Sequence, residues 1–167
     1  MAIPTMMLVF GMMVIGNLDA SGNRDVPTDS RLNGTWVFNT GGTEIEMTLD
    51  NGNYKHSYVN VGVDHQEFTR GTYDAMEGTL VFRPTHKMNI GSLATQTGLE
   101  SGKWYTIDEY KIAMGNYAAT FGSLQDFINS TIEDAVSPQY LNYSVTNNSL
   151  TITTMYGENF VYIKNEL

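Results

Sequence analysis

The sequence predicts a mainly β fold, an eight-stranded antiparallel up-and-down β-barrel with a two-helix insertion after the fifth strand. Two observations support this prediction. From residue 35 onward, short segments of alternating apolar and polar residues follow one another, separated by turn residues. One stretch, between residues 106 and 136, shows helical spacing instead. We expect the eight strands to close into a barrel, because closure removes the exposed edges that promote aggregation.

The strands are predicted from period-two alternation and from the turns between them. In the second strand Ile45, Met47 and Leu49 alternate with polar residues, so one face is core and the other faces water. The following Asp50-Asn51-Gly52-Asn53 predicts a hairpin turn, because Asn and Gly tolerate positive φ. The predicted strands are residues 35–40, 43–50, 54–63, 67–74, 79–90, 140–146, 149–155 and 158–164.

The fifth predicted strand contains a proline. Pro84 marks an edge or a bulge, since proline donates no hydrogen bond to a sheet. The alternation predicts that Leu80, Phe82 and His86 share one face of this strand. The segment before it, residues 74–78, is predicted to be a turn, and residues 91–102 form a Gly/Ser/Thr-rich loop.

The insertion is predicted to contain two helices. Thr106 to Glu109 has the pattern of a capping box, in which the two side chains satisfy backbone amides of the first turn, and this helix should end at Gly115. Ser123 opens the second helix, which Pro138 ends. Its apolar residues recur at helical spacing: Leu124, Phe127, Ile128, Ile132, Ala135 and Val136.

The beginning of the chain predicts export. Residues 6–16 form an apolar run of the length of a signal-peptide core, followed by small residues at 20–22. We therefore divide the chain into a signal-peptide-like segment at 1–22, a polar tether at 23–31 and a barrel domain at 32–167. The protein is expected in the periplasm, on the cell surface or outside the cell. The alternative for residues 6–16 is a short buried or membrane-associated helix.

Composition narrows the classes of partner. With 18 acidic and 9 basic residues the formal charge is -9, so the surface repels phosphate backbones and nucleic acid is not expected to bind. The chain has no cysteine, which excludes disulfides, a thiol nucleophile and thiolate metal sites. About 140 residues remain after the first two dozen, enough for one domain with its own core. We expect a monomer.

Several motifs resemble one family. Leu32-Asn33-Gly34-Thr35-Trp36 is similar to the Gly-x-Trp signature of lipocalins at the start of an eight-stranded barrel. Together with Gly71-Thr72-Tyr73, Gly78 to Phe82, Trp104-Tyr105-Thr106 and the hairpin of residues 143–153, it resembles bacterial exported lipocalin-like domain proteins, a calycin-type group, over residues 32–164. In lipocalins an arginine late in the barrel stacks on the tryptophan of this signature. Lys164 is the nearest candidate for that role in this chain. Lipid-anchored relatives carry a cysteine after the signal segment, where this chain has Gly22, so the resemblance does not imply a lipid anchor. Contact with a membrane is expected only through the export segment or through an anchor that the sequence leaves open.

The predicted inward side chains offer a binding site. If the interior is hollow, it should hold a small hydrophobic ligand; if it is filled, the same side chains are simply core, and the loops and the helical insertion would then bind a protein partner or act as an inhibitor. We predict that Trp36 is buried near one end of the barrel. The candidate ligand-binding residues are Trp36, Phe38, Ile45, Met47, Tyr58, Phe68, Tyr73, Phe82 and His86.

No catalytic, metal or cofactor site is predicted. Glu44 and Glu46 are a conspicuous carboxylate pair, but they face away from the predicted core, where water solvates them. His56, His65 and His86 match no metal-binding spacing, and the first two are expected on the surface. The sequence therefore predicts a binding protein that is not an enzyme and that needs no cofactor.

Overall fold

The computed structural model describes residues 29–60, 62, 64–76, 78–154 and 156–165. The predicted export segment at 1–22 and residues 23–28 of the predicted tether lie outside this range. The end of that tether, residues 29–31, is described: Asp29 is the N-cap of a short 3-10 helix at Ser30–Leu32. Asp29 accepts hydrogen bonds from Arg31 there and Leu32 is fully buried, so these residues pack against the barrel.

The predicted barrel is confirmed. Eight strands form a closed antiparallel sheet in which each strand pairs with the next and the last, β9, pairs with β1. A two-residue strand, β6 (Tyr105–Thr106), is added to β5. The eight barrel strands are β1 (Gly34–Thr40), β2 (Thr43–Asp50), β3 (Asn53–Asn60), β4 (His65–Met76), β5 (Thr79–Gly91), β7 (Gln139–Val145), β8 (Ser149–Thr153) and β9 (Asn159–Asn165).

The turns explain how these strands meet. Asn51 and Gly52 both have positive φ (46° and 84°), which is the conformation of the tight hairpin predicted between β2 and β3. The predicted turn at 74–78 is shorter than expected, because β4 continues to Met76 and β5 begins at Thr79. Long cross-strand pairing between β4 and β5 overrides the local turn signal there.

The helical insertion is confirmed, with different boundaries. The helix α2 (Ile107–Ala118) has the predicted capping box, but it continues past Gly115 and passes into a 3-10 helix at Ala119–Leu124. The second helix, α3 (Gln125–Val136), begins one residue later than Ser123 and Leu124 would suggest, with Leu124 as its N-cap residue and no side-chain cap. A further helix, α1 (Ser92–Thr97), occupies residues that were predicted to be loop.

The insertion has its own small core. Tyr110 and Met114 of α2 pack against Ile132 and Val136 of α3, and the insertion buries Ala94 of α1 as well. An ion pair of 2.6 Å between Lys111 and Glu133 joins the two longer helices at their surface. The insertion is therefore a packed unit and not a flexible loop.

Strand direction places the insertion over one end of the barrel. The chain runs up β5 to Gly91, passes through the helices and returns down β7 from Gln139. We call this end the top; the opposite end, the floor, holds the Ser30–Leu32 helix and the Asp50–Asn53 turn. Above Phe82 and Gln139 the strands β5 and β7 no longer pair, and α2, α3 and β6 lie in that part of the wall.

The floor is closed by Trp36, as predicted. Its side chain is fully buried, and the indole N–H donates to the backbone oxygen of Leu32 at 2.7 Å. The ammonium of Lys164, the nearest candidate for a stacking cation in the sequence, lies 5.2 Å from the centre of the Trp36 ring. Tyr73 and Leu49 complete this tightly packed layer.

Candidate functional site

A cavity of about 170 Å³ lies in the upper half of the barrel, between the floor and the helical insertion. Most of its wall is apolar, with a polar group on one side. Side chains of α2 and α3 contribute to it as well as strands. Its lining residues are Ile45, Met47, Tyr54, His56, Tyr58, Glu67, Thr69, Phe82, Pro84, Lys87, Tyr110, Thr131, Ile132, Ala135, Gln139, Leu141, Ile152, Thr154, Phe160 and Tyr162.

A β-bulge brings a lysine into this cavity. The pairing of β4 with β5 skips one residue at Thr85, because Arg70 pairs with His86 while Gly71 pairs with Pro84. Gly71 permits this close approach, since a Cβ atom there would collide with the backbone of Arg83. An extra residue reverses the alternation of β5, so Lys87 and Asn89 become buried.

The polar wall is built from neighbouring strands. The Lys87 ammonium lies 3.7 Å from one carboxylate oxygen of Glu67, and Nε2 of His65 lies 3.0 Å from the other. The Tyr110 ring of α2 lies over the Lys87 ammonium, 5.5 Å from it. Lys87 is 6% exposed, whereas Glu67 leaves 33% of its side-chain surface uncovered as it lines the cavity.

These groups set one another's charge. Burial alone would raise the pKa of Glu67, but Lys87, the hydrogen bond with His65 and the nearby His56 together lower it to about 2. Burial would lower the pKa of Lys87, and Tyr110 and Glu67 outweigh it, so the pKa is raised. Burial and the charge of Lys87 lower the pKa of His56 to about 4. At neutral pH the wall thus contains one carboxylate, one ammonium and an uncharged His56 ring.

Tyr110 and Asn89 extend the polar wall toward the insertion. Burial raises the pKa of the Tyr110 phenol, which therefore stays protonated at neutral pH. The Asn89 side chain is 1% exposed and makes no hydrogen bond of good geometry among the described residues, although it lies close enough to the Tyr110 hydroxyl to affect that pKa. Asn89 lies behind Tyr110 and does not itself line the cavity.

Seven of the nine predicted candidate residues divide into three groups. Ile45, Met47, Tyr58 and Phe82 line the cavity. Trp36 and Tyr73 are buried in the floor beneath it, outside the lining. Phe38 packs its ring against Phe160 and Tyr162, two lining residues, without lining the cavity itself.

Two candidate residues lie on the other face of the sheet from the one predicted. On β4 the alternate residues Glu67 and Thr69 line the cavity, so Phe68 between them points outward and pairs with Met88. His86 follows the bulge, which turns it out of the face of Phe82; it is partly exposed, and its Nδ1 lies 3.0 Å from the Thr85 hydroxyl. Neither residue lines the cavity.

The functional polar residues were not predicted. His56 lines the cavity and His65 is buried, although both were expected on the surface. The signal for Lys87 was present in Gly71 and Pro84, which pair across the bulge. If the alternation is shifted by one residue after Pro84, Lys87 is predicted on the inner face of β5 and His86 on the outer face.

The described residues contain no group suited to hold a metal ion, and the carboxylate pair Glu44 and Glu46 lies outside the cavity. No three His, Cys, Asp or Glu side chains there lie close enough together to hold a metal ion. Glu44 is exposed on β2, and Glu46 is partly exposed beside it on the outer face, away from the cavity. Of the helices in the described part of the chain, none combines the length and apolar character needed to cross a bilayer.

The fold and the cavity together are consistent with a calycin-like architecture, a closed eight-stranded antiparallel barrel with an interior site. The chain matches no protein-family model, and a search of curated proteins finds no similar sequence.

Proposed function

We propose that this protein is a non-enzymatic binding protein that holds one small, largely hydrophobic molecule inside its barrel. The observation that carries the proposal is the cavity of about 170 Å³, lined by apolar and aromatic side chains with polar groups on one side. Binding pockets typically have this composition, in which a few polar groups orient a mostly apolar ligand.

The volume limits the ligand. A void of about 150 Å³ lined by aliphatic and aromatic side chains is enough to bind benzene. The cavity is therefore suited to a molecule with one ring or a short chain. The floor cannot extend it, because Trp36 and Tyr73 fill the space below.

The polar wall favours binding over catalysis. A lysine that acts as a nucleophile must lose its proton, and the raised pKa of Lys87 keeps this one charged. A general base works best with a pKa near the working pH, and that of His56 is about 4. The groups hold fixed charges, which serve recognition better than proton transfer.

The cellular setting is part of the proposal. The apolar run at residues 6–16 supports export, and the resemblance of residues 32–164 supports a relationship to bacterial exported lipocalin-like proteins. We infer a monomer in the periplasm, on the cell surface or in the medium. Its charge of -9 argues against nucleic acid as a partner.

The experiment compares a filled cavity with a matched surface change. Ile152→Phe adds volume at a buried lining residue, whereas Ile163→Phe makes the same change on β9 at a side chain that is 57% exposed. Toluene and p-cresol are titrated into each protein and followed by NMR. We expect saturable binding to the parent and to Ile163→Phe, and none to Ile152→Phe. Absence of binding to the parent would contradict the proposal.

A second candidate function is an interaction or inhibitor module that acts through the insertion. Ile112 and Phe127 favour it, because these large apolar side chains of α2 and α3 are 67% and 66% exposed. Exposed apolar clusters on a soluble surface often mark protein contacts. If Phe127→Ser and Ile112→Ser leave ligand binding intact but remove binding to a protein partner, both functions are present.

A further inference from the structure

We propose that the cavity selects an uncharged ligand with one hydroxyl group, placed between the Glu67 carboxylate and the Lys87 ammonium. The inference rests on the proposed function and names the chemical class of its ligand. Its basis is the juxtaposition of one charged hydrogen-bond acceptor and one charged donor, 3.7 Å apart, in a wall that is largely apolar.

Charge balance excludes ionic ligands. Glu67 and Lys87 carry opposite charges, and His65, at 3.0 Å from Glu67, and Tyr110, at 5.5 Å from Lys87, face the pair from β4 and α2. A ligand carboxylate would approach Glu67 as well as Lys87, and a ligand ammonium would approach Lys87 as well as Glu67. Either ion would also lose its hydration on entering a largely apolar space, which is costly without full compensation.

A hydroxyl group fits both members of the pair. It donates one hydrogen bond, for which Glu67 has acceptor capacity, and it accepts another, for which Lys87 has donors. The separation of 3.7 Å is longer than a good direct hydrogen bond, so the pair leaves capacity for a third group. Hydrogen bonds to charged groups are about twice as strong as those between neutral groups, so one hydroxyl gives substantial selectivity.

The rest of the wall specifies an apolar body. Across from the polar side, Ile45, Ile152 and Phe160 present only hydrocarbon to the cavity. A second polar group placed against these three side chains would be buried without a partner. The ligand is therefore a small ring or chain with a single polar end.

The test compares four single-ring compounds of similar size at pH 7. Toluene has no polar group, p-cresol has a hydroxyl, 4-methylbenzoate is an anion and 4-methylbenzylamine is a cation. Dissociation constants are measured by NMR titration with the full chain. We expect p-cresol to bind about tenfold more tightly than toluene, and each ion at least about tenfold more weakly than p-cresol.

Variants of the pair assign the selectivity to it. Glu67→Gln leaves the Lys87 charge and should shift preference toward 4-methylbenzoate, whereas Lys87→Met should shift it toward 4-methylbenzylamine. Because a single unpaired charge can prevent folding, the double variant Glu67→Leu/Lys87→Met, which removes both the acceptor and the donor, is measured too; p-cresol should then lose most of its advantage over toluene. Glu46→Gln and Lys55→Met make the same changes outside the cavity and should retain the parent selectivity.

The outcomes separate the two proposals. If toluene and p-cresol bind the parent equally, or an ion binds best, the hydroxyl assignment is overturned and the binding function stands. If the double variant keeps the parent preference for p-cresol, the Glu67–Lys87 pair does not confer it and the inference is again overturned. If none of the four compounds binds, the proposed function fails for ligands of this size, and the inference fails with it.

Discussion

The two ends of the barrel are built on opposite principles. At the floor, Trp36, Leu49 and Tyr73 form a filled layer. At the top, a cavity of about 170 Å³ is left open. The charged side chains of Glu67 and Lys87 line it, although hydrocarbon side chains could stand in their place. Buried ion pairs are weak contributors to stability. The difference supports the proposal that the floor stabilises the fold and that the top binds a ligand.

The largest expected effect tests the floor. Trp36→Ala removes a fully buried side chain and its hydrogen bond to Leu32, and we expect it to lower the free energy of unfolding by about 3–5 kcal/mol. Denaturant unfolding without ligand measures the change. The matched control is Trp104→Ala, which removes a partly exposed ring that stacks on Arg70 and should cost under about 1 kcal/mol. A loss of less than 1 kcal/mol for Trp36→Ala would contradict the role of the floor.

A pH titration tests the top. His56 has a pKa of about 4 in the fold against 6.5 when unfolded, so the unfolded chain binds the proton first and stability falls as the pH drops from 6.5 to 4. We expect His56→Gln to remove about 2 kcal/mol of this loss, less than the full shift implies because the ring is only partly buried. Unfolding at pH 7 and pH 4 measures it.

One control variant and one further titrating group define the pH range of the His56 effect. His86→Gln makes the same change at a partly exposed histidine outside the cavity and is measured as the matched variant. The pKa of Glu67 is lowered from 4.5 to about 2, so its contribution is fully present above 4.5 and is lost as the pH falls toward 2. A parent and a His56→Gln variant with the same dependence between pH 6.5 and 4 would show that His56 is not held uncharged.

A smaller effect concerns the cover of the cavity. Thr106→Ala removes the cap of α2, in which the Thr106 hydroxyl accepts from the Glu109 amide, and should cost about 1 kcal/mol. Hydrogen exchange of α2 amides should accelerate while that of β1 and β2 amides changes less, since the cap stabilises the top locally. Thr120→Ala, at the surface of the 3-10 helix, provides a comparison. Uniform acceleration across the barrel would contradict a separate top.

The smallest effect is expected on the outside of the insertion. Phe127→Ser exchanges a side chain that is 66% exposed, and the free energy of unfolding should change by less than about 0.5 kcal/mol. Ile132→Ser, on the buried side of the same helix, is the contrasting variant and should be strongly destabilising. Equal losses in the two variants would mean that Phe127 is covered in solution.

Strand pattern was sufficient for the fold and insufficient for the site. Ile45, Met47 and Leu49 revealed the inner face of β2 because alternation is strict there. The same counting failed on β5, where one extra residue at Thr85 reversed the faces. The site depends on that reversal, so the error in sequence reasoning fell on Lys87.

Long-range packing accounts for the other differences. Phe68 is aromatic and was placed inward, but Glu67 and Thr69 occupy the inner face, where His65 and Lys87 pair with Glu67. Phe127 continues the apolar pattern of α3, yet the insertion has no further element to cover it among the described residues. A local pattern shows which residues are apolar. Which face of a strand or helix becomes buried depends on the elements that pack against it.

The short pairing of β5 with β7 has a consequence for how the chain folds. Strands β1 to β5 follow one another with only a few residues between them, and so do β7 to β9, so each group finds its register locally. Closing the ring joins Phe82 to Gln139 across the whole insertion, and Trp36 to Lys164 across nearly the whole barrel. The pairings of β5 with β7 and of β1 with β9 therefore have the largest cost in loop-closure entropy. They should form last, after two separate meanders and the helical unit have taken shape.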